Sequence, residues 1–181
     1  MLAEQTPILI VPGRQNSDPG HWQSLWEAKY PSAHRVEQRN WDRPVCSEWV
    51  QDLDNAIRAC AQPAVIVAHS IGCLAVVHWA MRHHYPTRGA LLVAPSDPER
   101  PDCPAEIVGF SPVPLSPIPF PTILVASSND KYASLGRARQ FSQAWGSRWM
   151  DVGPCGHINT ASGFGPWPAG EELLQNLLYM K

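Results

Sequence analysis

Three residues of this 181-residue chain could together carry out nucleophilic acyl chemistry: Ser70 in "VAHSIGC", Asp130 in "SSNDKY" and His157 in "GPCGHIN". A serine hydroxyl is a poor nucleophile until a base takes its proton and a third group orients that base. Ser70 has Ala68 two residues before it and Gly72 two after, and no other serine here has Gly or Ala at both places. Small neighbours suit a sharp strand-to-helix turn, the G-x-S-x-G elbow with Ala in the first place. Such a turn pushes the hydroxyl outward at a helix N-terminus, where free N–H groups favour developing negative charge. The N–H of Ile71 is one expected oxyanion donor. The second is the N–H of Arg14 in "VPGRQNS", where Gly13 permits an unusual backbone. A serine that merely caps a helix is the competing reading.

Partners decide between the two. His157 is the one histidine downstream of Ser70 beyond the adjoining helix. His69, His78, His83 and His84 ride the elbow and its helix, and are expected at the surface or in packing. For the acid, Asp97, Asp102 and Asp151 are candidates, but Asp130 directly follows a strand and precedes a helix. Taken singly, Asp130 reads equally as a turn or cap residue. A nucleophile after the third strand, an acid after the fifth and a base after the sixth would line one edge of a sheet. In open parallel sheets that carboxyl edge is where ligands bind.

The elements that must position these groups alternate between buried strands and amphipathic helices, the pattern of a parallel sheet covered on both faces. Strands are expected at 7–11, 33–38, 64–68, 89–94, 121–127 and 147–152. Helices are expected at 20–30, 47–61, 71–84, 133–145 and 169–180. Right-handed crossovers then give one domain over 1–181, a three-layer α/β/α sandwich. Residues 95–121 hold nearly half of the 19 prolines and read as a long excursion from the fourth strand. The pocket is expected to form from residues 13–20, 40–45, 95–119 and 158–168. Of the eight tryptophans, Trp41 and Trp167 fall in such loops and are expected to wall an acyl pocket.

Charged residues make up 17% of the chain and the net charge is −2, with no block of like charges. Nucleic acid and anionic membrane surfaces are therefore not expected partners. The start "MLAEQTPILIVPG" has no basic region and too short an apolar run for a leader or a span, so a cytoplasmic protein is expected. Five cysteines without a CxxC pair read as free thiols. The Cys155-x-His157 spacing, even with His83 and His84, is not a recognised metal-ligand pattern.

With these residues in place, the chain resembles the small serine hydrolases related to retinoblastoma-binding protein 9, a compact branch of the α/β-hydrolases. The likeness rests on an ordered set: "VPG", "PGHWQ", "NWDRP" before "EWV", then "VAHSIG", "SSNDKY", "GHIN" and "SGFGPWPAG". It implies a minimal α/β-hydrolase fold without a large cap domain, a Ser70–Asp130–His157 triad and no cofactor; the residues themselves lead us to expect a small ester, thioester or amide as acyl substrate. It departs at Ala68, where Gly is more common, and at "RQNSD", where a Gly-rich run is usual. An L-x-C-x-E docking peptide is absent, since Pro101 of "PDCPAE" stands where Leu is needed. Binding to a retinoblastoma-type partner is therefore not carried over. The rival class is a catalytically silent interaction module on the same fold.

Overall fold

The computed structural model describes residues 6–180. Residues 1–5, part of the segment read above for its lack of a basic leader, lie outside them. Six strands form one all-parallel sheet: β1 (Ile8–Val11), β2 (Ala33–Arg35), β3 (Ala64–His69), β4 (Thr87–Val93), β5 (Thr122–Ala126) and β6 (Arg148–Asp151). Their order is β2-β1-β3-β4-β5-β6. The helices are α1 (Trp22–Lys29), α2 (Cys46–Ala59), α3 (Ile71–Ala80), α4 (Leu135–Trp145) and α5 (Pro168–Leu178). Among the described residues, no helix is long and apolar enough to cross a membrane.

Alternation along the strands sorts the core into two layers. Ile8, Ile10, Val65, Val67, Leu91 and Val93 face α1 and α5. Leu9, Val11, Ile66, Ala68 and Leu92 face α2, α3 and α4. Both faces of a parallel sheet must be covered, because its crossovers place helices on each. That is why β1, β3 and β5 are buried at every residue. The architecture is the α/β/α sandwich expected from sequence, with no large cap domain among the described residues.

Helix α3 is buried along its whole length, which an amphipathic surface helix cannot be. The proline-rich excursion helps bury it: Phe110, Val113 and Ile118 join the same apolar cluster as α3. That excursion holds no regular element, yet it is tied down. A parallel bridge joins Val45 to Val108, and the Trp145 indole Nε1 donates to the Pro114 carbonyl at 2.8 Å. Helix α3 also stops at Ala80, four residues before the expected end. The N–H groups of Arg82 and His83 both turn back to the Trp79 carbonyl, at 3.0 and 2.9 Å, which closes the helix.

From β1 the chain first moves outward to β2, then returns to the other side of β1 as β3. The loops after β1 and β3 therefore diverge around a crevice at the carboxyl edge, where open α/β sheets hold ligands.

Candidate active site

Ser70 is the single residue between β3 and α3, at φ 57° and ψ −128°. L-residues reach that region at a cost of about 1–3 kcal/mol, so neighbours must impose it. The Ser70 N–H donates to the Val93 carbonyl at 3.0 Å, fixing the turn to β4. A Cβ on Gly72 would lie 2.5 Å from the carbonyl oxygens of both Pro12 and Val11. A Cβ on Gly13 would lie 2.7 Å from the Ser70 Cβ. Both glycines are thus required by the approach of the β1 loop to the elbow. Beneath them, the buried Gln23 amide donates to Val67 O at 3.0 Å and Val11 O at 3.3 Å, holding the two strand ends together. The Ser70 side chain makes no capping bond to α3, contrary to the cap reading.

His157 and Asp130 arrive from the loops after β6 and β5. Ser127 and Asn129 pin those loops to each other: Cys155 N–H donates to Ser127 Oγ at 2.9 Å, and Gly156 N–H to Asn129 Oδ1 at 2.7 Å. His157 Nε2 lies 2.9 Å from Ser70 Oγ, and its Nδ1 lies 2.8 Å from Asp130 Oδ2. Asp130 Oδ1 accepts from Tyr132 N–H at 2.9 Å, so this carboxylate also makes the turn its position suggested. The Tyr132 ring packs edge-on against the imidazole, centroids 4.4 Å apart.

Proton bookkeeping assigns the donors. A carboxylate only accepts, so His157 Nδ1 carries the hydrogen and, in the neutral ring, Nε2 accepts from Ser70. Ser70 has one hydrogen to give. Its Oγ also lies 2.9 Å from the Ser96 Oγ, so when Ser70 faces His157, Ser96 must donate to Ser70.

Ser70, Ile71, Arg14 and His157 all line one cavity of about 370 Å³, with walls from three of the four expected segments. Gly13 to Asn16, Ser96 to Ile107 and Asn159 to Ala161 contribute, whereas residues 40–45 do not. Among the described residues, neither the Arg14 nor the Ile71 N–H has a hydrogen-bond acceptor, so both are available to an oxyanion.

The two tryptophans are a correction. Trp41 packs on Trp49 at 5.7 Å, against the α2 side of the core. Trp167 stacks on Trp26 at 6.0 Å and meets Trp22 at 5.3 Å, inside the other layer. Neither lines the cavity, because burying an indole in an apolar layer outweighs exposing it at a rim. Trp41 still contributes its carbonyl, which accepts from Gln15 N–H at 2.9 Å and braces the Arg14 loop.

Two participants went unnoticed in the sequence. Ser96 lies three residues beyond β4, a position the carboxyl-edge rule alone would have flagged. His69 was expected in packing, and it is buried, but its Nε2 also donates to the His157 carbonyl at 2.9 Å. Burial holds the His69 pKa well below its ordinary value, with the nearby His157 adding to that. His21, edge-on to His69 at 4.9 Å, is pushed down to about 4, mainly by burial, while Asp18 opposes the shift.

Comparison with known proteins bears on the family and the fold. Residues 8–176 match the serine hydrolase family. A Pectobacterium atrosepticum protein named as a YdeN-like hydrolase is 37% identical, with a TM-score of 0.87 over 98% of this chain and 92% of that one. The ydeN product of Bacillus subtilis shares the fold at 18% identity, with a TM-score of 0.83 over 97% and 100% of the two chains. Esterase 2 of Thermogutta terrifontis also shares it, at 17% identity and a TM-score of 0.73, over 96% and 82%. No curated protein matches the chain. With nearly the whole sequence matched and a relative of more than one-third identity alongside, the chain belongs to the serine hydrolase family.

Proposed function

We propose that the protein hydrolyses a small ester, thioester or amide through an acyl-enzyme on Ser70. His157 takes the Ser70 hydrogen as Oγ attacks the substrate carbonyl, and returns it to the leaving group. Asp130 holds the imidazole in the Nδ1–H form and stabilises the imidazolium. The Ile71 and Arg14 N–H groups receive the oxyanion. Water, activated by the same imidazole, then breaks the acyl–Oγ bond and regenerates the hydroxyl. Ser96 acts as a positioning residue, donating to Oγ and orienting its one hydrogen toward His157.

The observation that carries this reading is the unbroken relay Asp130–His157–Ser70, at 2.8 and 2.9 Å, whose Ser70 and His157 line the cavity. A fluorophosphonate probe tests it: the wild type is labelled at Ser70 and Ser70→Ala is not. Absence of labelling in folded wild-type protein would instead favour the silent interaction module. An ester substrate is supported by the esterase that shares the fold. The sequence resemblance to the compact branch containing retinoblastoma-binding protein 9, and a cytoplasmic location, belong to the same proposal.

A further inference from the structure

The cavity wall carries a charge that the acyl chemistry does not use. Arg14 and Arg100 both line it. Arg100 comes from the proline-rich excursion and its side chain is only 13% exposed. Its Nη1 meets the Asp102 carboxylate at 3.0 Å, and its guanidinium lies 5.2 Å from the centre of the Tyr132 ring. That is the ring packed edge-on to His157. The Arg100 Nε is buried with no hydrogen-bond partner among the described residues, and Nη2 has none either. An orphaned buried donor is costly, so such a group calls for a ligand or water. Nη2, unlike Nε, is not fully buried, so it is the nitrogen with which this guanidinium can meet a carboxylate in a charge-assisted bond.

Arg14 supplies the second charge. Its Nε donates to a neutral acceptor, the Asp42 carbonyl, at 2.9 Å, and no carboxylate of the described residues pairs with it. The acids of the cavity wall are otherwise engaged. Asp97 pairs with Arg137 at 3.2 Å, and Asp18 accepts from Gly20 N–H at 2.8 Å and bonds Thr160. Asp102, the partner of Arg100, is 79% exposed and therefore well screened. The Cys103 thiol, also on the wall, is pushed up mainly by burial; Arg100 and Arg14 pull against that rise, while Asp102 and Asp97 add to it. Both arginines thus act on one part of the cavity.

We propose that Arg14 and Arg100 form an anion subsite that selects an ester or thioester bearing a carboxylate on its acyl or its alcohol portion. The inference rests on Ser70 being the nucleophile, and it adds the substrate class. A single arginine–carboxylate pair formed here is expected to favour the charged substrate by about tenfold or more.

Two matched ester pairs test it. One compares 4-nitrophenyl hydrogen adipate with 4-nitrophenyl hexanoate, placing the carboxylate on the acyl side. The other compares the butyrate ester of 4-hydroxybenzoate with that of its methyl ester, placing it on the alcohol side. In one pair kcat/KM favours the anion, chiefly through KM, and the preference shrinks as salt is added. In Arg100→Gln the ratio within that pair falls toward one; Arg100→Lys retains part of it. Arg14→Gln lowers the same ratio and serves should Arg100→Gln fail to fold. Equal kcat/KM within both pairs, in protein that a fluorophosphonate labels at Ser70, overturns the subsite and leaves the hydrolase reading standing. Calorimetric titration with adipate and with the neutral adipamide needs no turnover. Tighter binding of the dianion, weakened in Arg100→Gln, supports the subsite even in protein that does not label. No preference between the two overturns it.

Discussion

Along the two faces of the sheet, side chains follow strand alternation and the backbone stays regular. At its carboxyl edge the backbone repeatedly enters the positive-φ region that L-residues seldom adopt. Every non-glycine residue with positive φ among those described sits there: Gln15, Asn16, Ser70, Ala94 and Ile158. Three of them line the cavity. Ala94 lies two residues before Ser96, and Ile158 directly follows His157. Each costs about 1–3 kcal/mol in isolation, so the packed layers must hold them in place. Apolar burial and functional strain are thus separated along the strand direction. Substitutions in the layers should change stability, while substitutions at the edge should change rate.

The largest effect expected is on rate. Ser70→Ala should lower kcat by about ten-thousandfold or more, with an unchanged circular dichroism spectrum. A residual rate near wild type would remove the distinction between edge and faces. Leu92, fully buried in the α3-side layer, gives the mirror case. Leu92→Ala should lose roughly 2–5 kcal/mol in urea unfolding, while fluorophosphonate still labels the folded fraction at Ser70.

Acid should weaken the protein through the histidines packed behind the edge. His21 has a folded pKa of about 4 against an ordinary 6.5, so the unfolded chain gains a proton that the folded one refuses. Stability is therefore full above pH 6.5 and falls as pH drops toward 4, by roughly 3 kcal/mol from this group. His69 shifts in the same direction. Urea midpoints measured from pH 7.5 to 4.5 should show the slope, and His21→Asn, which keeps an acceptor for α1, should flatten it. A slope unchanged in that variant would exclude His21 as its source.

Smaller still, Ser96→Ala should reduce kcat about tenfold, the worth of one aligned hydrogen bond, with little change in KM. Last, Ser70→Gly, which accepts φ 57° freely, should abolish labelling yet melt slightly higher, by about 1 kcal/mol of relieved strain. A lower melting point there would mean that the hydroxyl contacts outweigh the backbone cost.

The strands were readable because a strand buried on both faces is a short apolar run, as "AVIVA" is in β3. The three relay residues were readable because each lies just beyond a strand end, and residue type with chain order then narrows the choice. What stayed hidden depends on side-chain direction. Trp41 and Trp167 occupy loops near the site, but their rings turn into the two core layers, and no periodicity in a loop records that turn. Ser96 is placed at the carboxyl edge by its distance from β4, but no spacing rule ties that serine to an elbow 26 residues away. The role of Arg100 is a matter of which nitrogen atoms are already engaged, and that is visible only once Asp102 and Tyr132 are in place.

The contact from His69 to the His157 carbonyl has one more consequence. In the acyl-enzyme proposed above, Ser70 would hold the substrate fragment and have no hydrogen left to offer the ring. The link between them lapses at the moment when the ring must deprotonate water. Asp130 restrains the ring itself, and His69, one peptide bond from Ser70, restrains the backbone behind it. The base therefore remains moored beside its partner during the interval when the partner can no longer hold it.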